Sequence, residues 1–259
     1  MSAMAFCPDC IYVRAVPLGP TEKRLPKSGA AEAGAQGVVI TFDSGRKVSG
    51  LLRIALKARA CYVFAHGAGA GMMHPFLASS ANGLAERGIS TLRYQFPYME
   101  EGSKRPDAPA LAHATVRAAV AEASRIVPGL PLFAGGKSFG GRMTSQAQAE
   151  SALPGVRGLV FFGFPLHPPG KPSDERAKHL SDVQIPMLFL QGSRDEFASL
   201  DLLQPVVNRL GSRATLKLFA EADHSFHAPK RAGRTDAETR TQMLDAMANW
   251  IDSVLSQNL

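Results

Sequence analysis

The sequence predicts an α/β protein with a mostly parallel central sheet of about seven to eight strands and helices on both faces. Three observations lead to this prediction. Short apolar runs alternate with longer segments of helical periodicity from residue 60 onward. Several of these runs are almost entirely apolar, as expected for strands that are covered on both faces. Glycine and proline separate the two kinds of segment and mark the turns between them.

Each element follows from its own pattern. Residues 37–43 and 47–55 flank the turn Ser44-Gly45 and are expected to pair as a β-hairpin. A stripe of apolar residues at helical spacing near the C-terminus indicates a helix that packs against the core. Further strands are expected at 61–65, 89–94, 130–134, 156–162, 185–190 and 214–219, and helices at 75–87, 107–126, 142–152, 200–210 and 236–255.

The chain of 259 residues is long enough to form one large domain with a substantial core. Residues 1–35 are rich in proline, glycine and alanine and show no hydrophobic period, so we expect a poorly ordered tail there. Residues 36–259 are expected to form the domain. Cys7 and Cys10 form an isolated C-x-x-C pair, and Cys61 is the only other cysteine. This pattern favours neither a zinc site nor a disulfide scaffold.

Charge and hydropathy argue against two classes of partner. The net charge is +7, but the basic residues are scattered and are not interleaved with aromatic residues, so we expect no nucleic-acid partner. No apolar run approaches the roughly 20 residues of a membrane span, so we expect no membrane partner. The N-terminus lacks the pattern of a signal peptide, which makes the cytoplasm the expected location. The sequence leaves open whether the protein is a monomer or a homodimer.

A G-x-S-x-G motif, formed by Gly136, Ser138 and Gly140, lies between an apolar run and a helical segment. In this strand–turn–helix setting the motif is typical of a nucleophile elbow, a tight turn that presents a reactive serine at the edge of a sheet. Gly136-Lys137-Ser138 also matches the end of the phosphate-binding loop motif G-x-x-x-x-G-K-S. That loop requires a glycine where the chain has Pro131, so the elbow is the favoured interpretation.

An elbow serine needs an acid and a histidine, in that chain order. Asp195 follows the strand expected at 185–190 by five residues, and His224 follows the strand expected at 214–219 by five residues. Because the carboxyl ends of parallel strands meet at one edge of a sheet, we expect both side chains to lie close to Ser138. His224 is the expected acid/base, and Asp195 is the carboxylate expected to orient it.

Two alternatives remain open for these residues. Glu196 and Asp201 are neighbouring candidates for the acid. His224 and His227 are three residues apart and suggest a metal site, but no H-E-x-x-H pattern and no suitably spaced carboxylate supports one. We therefore expect neither a metal nor a cofactor.

The serine also needs an oxyanion hole, which two backbone N–H groups form. One is expected from Phe139, the residue after the serine. The other is expected from the glycine-rich loop after residues 61–65, with Ala68 as the first candidate and Gly67 and Gly69 as alternatives. Nearby aromatic, basic and sulfur-containing side chains are candidates for a substrate pocket: His66, Met72, Arg93, Phe96, Tyr98 and His167.

The chain resembles the α/β-hydrolase fold superfamily over residues 37–257. More closely, it resembles dienelactone-hydrolase-like proteins of the KANL3/Tex30-like subgroup. The resemblance implies a Ser-Asp-His site at Ser138, Asp195 and His224, in agreement with the spacing of those residues. The motifs that carry it are HGAGAGM at 66–72, HPF at 74–76, RYQFPYME at 93–100, GKSFGGR at 136–142 and FPLHPP at 164–169.

These features predict a serine hydrolase that cleaves a carboxylic ester or thioester of a small-molecule acyl substrate through an acyl-enzyme. Dienelactone hydrolases proper use a cysteine nucleophile, and Ser138 in this chain argues against lactone hydrolysis of that kind. The alternative is a catalytically silent scaffold, because the resembled subgroup includes a subunit of an animal chromatin-modifying complex. Residues 163–184 are few and rich in proline, which predicts a site without a large cap domain.

Overall fold

Eight strands form one sheet in the part of the chain that the computed structural model describes, residues 34–257. They are β1 Ala35–Phe42, β2 Arg46–Arg53, β3 Ala60–Ala65, β4 Ile89–Tyr94, β5 Leu132–Lys137, β6 Val156–Phe162, β7 Met187–Gly192 and β8 Ala214–Phe219. Their order across the sheet is β1-β2-β4-β3-β5-β6-β7-β8. The pairs β1–β2 and β2–β4 are antiparallel, and the other pairs are parallel. The expected tail up to residue 33, with Cys7 and Cys10, lies outside the described residues.

Helices cover both faces of this sheet. They are α1 Pro75–Glu86, α2 Pro97–Glu100, α3 Pro109–Ile126, α4 Phe139–Glu150, α5 Leu200–Leu210 and α6 Asp236–Ser256. Residues such as Val116, Met143 and Leu203 pack α3, α4 and α5 against one face. Leu77 and Met247 pack α1 and α6 against the other face. Burial on both faces explains why β3 is continuously apolar.

The sequence contains clear signals for where several helices begin. The Thr235 hydroxyl accepts a hydrogen bond from the Glu238 N–H, and the Glu238 carboxylate accepts one from the Thr235 N–H, which caps α6. Proline is the first residue of α1 and α3, where its missing N–H costs no helical hydrogen bond. None of the described helices is long and apolar enough to cross a membrane.

Most expected elements coincide with the observed ones to within a few residues, and the differences have local causes. β5 continues through Gly135 and Gly136 to Lys137, beyond the expected end at residue 134, because both glycines stay paired with β3 and β6. α3 begins at Pro109, two residues after its expected start. The sequence does not predict α2, a helix of one turn that follows β4.

The segment between β6 and β7 contains no large cap domain, as the sequence predicts. A 3₁₀ segment, Glu175–Asp182, packs against α4. The N–H groups of Leu166 and His167 both donate to the carbonyl oxygen of Phe197, 2.8 and 3.1 Å away. These bonds fix a short rim, residues 163–170, at the carboxyl edge of the sheet.

Candidate active site

Ser138 lies at the end of β5, on the turn that leads into α4. Its backbone has φ 50° and ψ −114°, a strained conformation for a residue with a side chain. The flanking glycines are required by lack of space. A Cβ on Gly136 would lie 2.4 Å from the carbonyl oxygen of Ala65, and a Cβ on Gly140 would lie 2.5 Å from that of His66. The G-x-S-x-G pattern therefore follows from the close approach of β3 to the turn.

A continuous chain of hydrogen bonds joins Ser138, His224 and Asp195. The Ser138 Oγ lies 2.9 Å from His224 Nε2, and His224 Nδ1 lies 2.7 Å from Asp195 Oδ2. Asp195 is only 3 % exposed and lies three residues after β7, because β7 extends to Gly192. The carboxylate accepts a hydrogen bond from Nδ1–H, which leaves Nε2 as the acceptor for the serine hydroxyl. The arrangement is able to deprotonate the serine as it attacks a carbonyl group.

The surroundings of His224 favour its neutral form. Burial lowers the pKa of His224 below its usual value, the hydrogen bond to Asp195 opposes this shift, and the nearby Lys137 ammonium lowers the pKa further. The Phe197 ring lies against the imidazole, with the two centroids 4.3 Å apart. A neutral imidazole is the form that a general base requires near neutral pH.

The N–H groups of Phe139, Ala68 and Gly67 have no hydrogen-bond partner among the described residues. Phe139 is the first residue of α4, where N–H groups lack an intrahelical acceptor. The Gly69 N–H, by contrast, already donates to a buried tyrosine hydroxyl. A Cβ on Gly67 would lie 3.9 Å from the Ser138 Cβ, so the loop passes directly beside the serine. Phe139 and Ala68 thus keep unbonded N–H groups, and Gly67 remains an alternative donor to an oxyanion.

Comparison with known proteins identifies the family. Residues 58–252 match the family described as "Alpha/beta hydrolase domain". The chain belongs to this alpha/beta hydrolase family.

Solved structures of hydrolases share the fold of this alpha/beta hydrolase. A serine hydrolase without a lid from Xanthomonas campestris superposes with a TM-score of 0.67 at 19% identity, over 86% of this chain and 98% of that one. Dienelactone hydrolase from Anabaena variabilis gives 0.68 at 21% identity, over 85% and 98%. A cold-adapted esterase from an Arctic intertidal metagenomic library gives 0.63 at 18% identity, over 88% and 99%. At these identities the likeness shows the fold alone.

One buried residue of the hydrolase site is not identified by the sequence analysis. Gln191 in β7 donates from Nε2 to Asp195 Oδ2 at 2.5 Å, and its Oε1 accepts from the Phe164 N–H at 2.9 Å. The Phe197 N–H donates to the other carboxylate oxygen of Asp195 at 2.8 Å. No motif in the sequence singles out Gln191, although it lies only four residues before the acid.

The structure corrects the expected role of three pocket candidates. His66, Arg93 and Phe96 have no exposed surface, so they lie beneath the loop after β3 instead of lining an opening. His66 Nε2 accepts from the Phe96 N–H, and Nδ1 donates to the Gly67 carbonyl oxygen. Arg93 Nη1 donates to the Met72 carbonyl oxygen at 3.1 Å. In the hydrolase these side chains hold residues 66–72 in position, and we name this segment the oxyanion loop after the role expected for it.

The other pocket candidates differ in their exposure. Met72 is partly exposed, whereas Tyr98 and His167 are 2 % and 4 % exposed. The Tyr98 hydroxyl is the group that accepts from the Gly69 N–H, so it also supports the oxyanion loop. Of these three, Met72 presents the most surface to a ligand.

The alternatives for the acid and for a metal do not share the hydrogen bonds of Ser138 and His224. Glu196 and Asp201 make no hydrogen bond to His224, which is bonded to Asp195. His227 Nδ1 instead pairs with Asp236 at 3.0 Å. Within residues 34–257 no three His, Cys, Asp or Glu side chains gather as a metal site would require.

Proposed function

We propose that this alpha/beta hydrolase is a serine esterase or thioesterase that cleaves the acyl bond of a small molecule through an acyl-enzyme on Ser138. The hydrogen-bonded chain from Ser138 through His224 to Asp195 carries the proposal. A pure scaffold has no use for the strained backbone of Ser138, whose cost the surrounding structure must offset. From the sequence patterns, we also propose a cytoplasmic location, membership of the KANL3/Tex30-like subgroup, and no nucleic-acid or membrane partner.

The geometry supports a two-step reaction. The Ser138 Oγ attacks the acyl carbon while His224 Nε2 takes the hydroxyl proton, and the N–H groups of Phe139 and Ala68 bind the resulting oxyanion. As the C–O or C–S bond breaks, His224 gives the proton to the departing alcohol or thiol. Asp195 remains ionised and stabilises the imidazolium. Water then attacks the acyl-enzyme, His224 takes a proton from the water, and the proton passes to Ser138 as the carboxylic acid leaves.

The absence of a large cap from the described residues bears on the size of the substrate. Only residues 163–174, which include the short rim at 163–170, lie between β6 and the 3₁₀ segment. Such a site offers little apolar surface to a long acyl chain. We therefore expect short acyl esters and thioesters to be hydrolysed faster than long-chain lipid esters, and the reverse preference would contradict this part of the proposal.

Labelling with a fluorophosphonate probe tests the proposal, because the probe reacts far faster with an activated serine than with an ordinary hydroxyl group. We expect the wild-type chain to be labelled and Ser138→Ala to lose labelling entirely. We expect His224→Ala to be labelled more slowly by a factor of about 10³ or more, since the general base is lost. Ser212→Ala, which changes an exposed serine before β8, is the matched control and should label like the wild type.

Two outcomes would count against this function. Labelling that persists in Ser138→Ala would place the reactive group elsewhere. No labelling of folded wild-type chain would favour the scaffold hypothesis instead.

A further inference from the structure

Lys137 is the last residue of β5 and directly precedes Ser138, but its side chain reaches the loop that carries His224. Its Nζ donates to the His224 carbonyl oxygen and lies 5.3 Å from the centroid of the Phe226 ring. One side chain therefore connects the strand end that bears the serine with the loop that bears the histidine. The reaction described above gives Lys137 no part.

The fold leaves room for this lysine next to the imidazole. Gly163 follows β6 with φ 68°, and a Cβ there would lie 3.0 Å from Lys137 Nζ and 3.2 Å from His224 Nδ1. The Lys137 ammonium group and His224 Nδ1, which faces Asp195, thus both lie close to Gly163. A side chain at position 163 would displace one of them.

Hydrogen bonds within residues 223–227 hold the loop around His224, but none of them reaches the His224 carbonyl oxygen. The Asp223 carboxylate accepts from the N–H groups of Ser225 and His227, at 2.8 and 2.9 Å. The Phe226 N–H donates to the Asp223 carbonyl oxygen at 3.0 Å. Within the described residues, the bond to the His224 carbonyl oxygen comes from Lys137.

Burial and nearby charges act on the protonation of both Lys137 and His224. Burial lowers the pKa of Lys137 to about 8, and Asp195 and Asp223 oppose this shift. Lys137 is therefore mostly protonated near neutral pH. Its charge lowers the pKa of His224 in the same direction as burial, while Asp195 and Asp223 raise it.

We propose that Lys137 is a positioning residue, which holds His224 between Ser138 and Asp195 through the His224 carbonyl oxygen and places a positive charge beside the imidazole. The inference rests on the proposed function for its effect on rate. The protonation of His224, however, is measurable without any turnover. Lys137 contacts neither the acyl group nor the oxyanion in the proposed reaction, so it affects the reaction rate through His224.

The test compares the full wild-type chain with two variants at this position. Lys137→Met keeps the length of the side chain and removes its charge, whereas Lys137→Arg keeps the charge. Lys217→Met, which removes a charge from an exposed position in β8, is the control. The measured quantities are the pH midpoint of the His224 imidazole resonance by NMR and the rate constant of fluorophosphonate labelling as a function of pH.

We expect Lys137→Met to raise the His224 midpoint by roughly 0.5–1 pH unit, because a repelling charge is lost. The pH below which the labelling rate decreases should rise by the same amount. At pH values where His224 is neutral in both proteins, labelling of Lys137→Met should be about tenfold slower than that of the wild type, because the His224 carbonyl has lost its donor. Lys137→Arg should keep the wild-type midpoint, and Lys217→Met should leave both quantities unchanged.

Several results would overturn the inference. Slower labelling with an unchanged His224 midpoint would assign Lys137 a packing role only, and an unchanged rate and midpoint would assign it none. If the wild-type chain is not labelled, the proposed function fails, while the NMR midpoint still decides the inference. Lys137→Gln, which should raise the midpoint as well, replaces Lys137→Met if thermal unfolding shows that the latter does not fold.

Discussion

Three donors surround the carboxylate of Asp195: His224 Nδ1 and Gln191 Nε2 at Oδ2, and the Phe197 N–H at Oδ1. The orientation of the Gln191 amide is determined, because the Phe164 N–H can only donate and must meet the Oε1. Nε2 therefore faces the acid. Hydrogen bonds to a charged carboxylate stabilise its ionised form, the form that must remain opposite an imidazolium.

At this scale, we predict that Gln191→Glu slows fluorophosphonate labelling by roughly tenfold or more, because a second carboxylate replaces the donor beside Asp195. The substitution keeps an acceptor for the Phe164 N–H, so it tests the bond to the acid rather than the packing. Labelling rates at several pH values measure the effect. Gln184→Glu, at an exposed glutamine, is the control, and a Gln191→Glu rate equal to that of the wild type would contradict the prediction.

β5 lies between β3 and β6 so closely that two of its residues have no room for a side chain. A Cβ on Gly135, whose φ is 148°, would lie 1.9 Å from the carbonyl oxygen of Val160. The Tyr62 hydroxyl reaches across this gap and donates to the same oxygen at 2.8 Å. Because β5 ends directly before Ser138, displacement of this strand also displaces the serine.

For this element, we predict that Gly135→Ala lowers the free energy of unfolding by about 3 kcal/mol or more, since the added methyl group overlaps backbone that cannot move freely. Gly155→Ala is the matched control. Gly155 also has a positive φ, of 75°, but a Cβ there meets nothing within 4 Å, so backbone strain alone should cost about 1–2 kcal/mol. Urea unfolding measures both variants, and equal losses would contradict the steric argument.

The stability of the whole domain depends on histidines that are buried in their neutral form. His66 has no exposed surface, and burial lowers its pKa from 6.5 to about 4. The unfolded chain therefore binds this proton more readily than the folded chain does. The contribution of neutral His66 to the free energy of unfolding is complete above pH 6.5 and decreases as the pH falls toward 4.

At the scale of the molecule, we predict that acidification from pH 7 to pH 4.5 lowers the free energy of unfolding, with about 2–3 kcal/mol of the loss due to His66. His66→Gln keeps an acceptor for the Phe96 N–H but cannot be protonated in this range. Its unfolding free energy, measured in urea at both pH values, should therefore fall less than that of the wild type. An identical loss in the two proteins would show that His66 does not contribute.

The parts of the site that the sequence predicts are those with a local pattern. Ser138 lies in a five-residue motif, and His224 follows its strand at the expected distance. Gln191 lies in no such motif, and Lys137 fills a position that the motif around Ser138 leaves unspecified. The Gln191 amide is oriented by the Phe164 N–H, 27 residues away, and Lys137 bonds to His224, 87 residues away. Asp195 is intermediate, since its place after a strand was predictable but its preference over the exposed Glu196 required the observed bond to the histidine.

The sequence by itself determined the alternation of strands and helices, the elbow around Ser138 and the absence of a large cap. Hydrophobic period, glycine and proline specify these features locally, and short stretches of chain contain that information. Only the tertiary structure decided that His66, Arg93 and Phe96 are buried beneath the oxyanion loop and that Lys137 and His224 share the space over Gly163. Burial and hydrogen-bond partners arise when distant segments pack together, and no single stretch of the chain contains that arrangement.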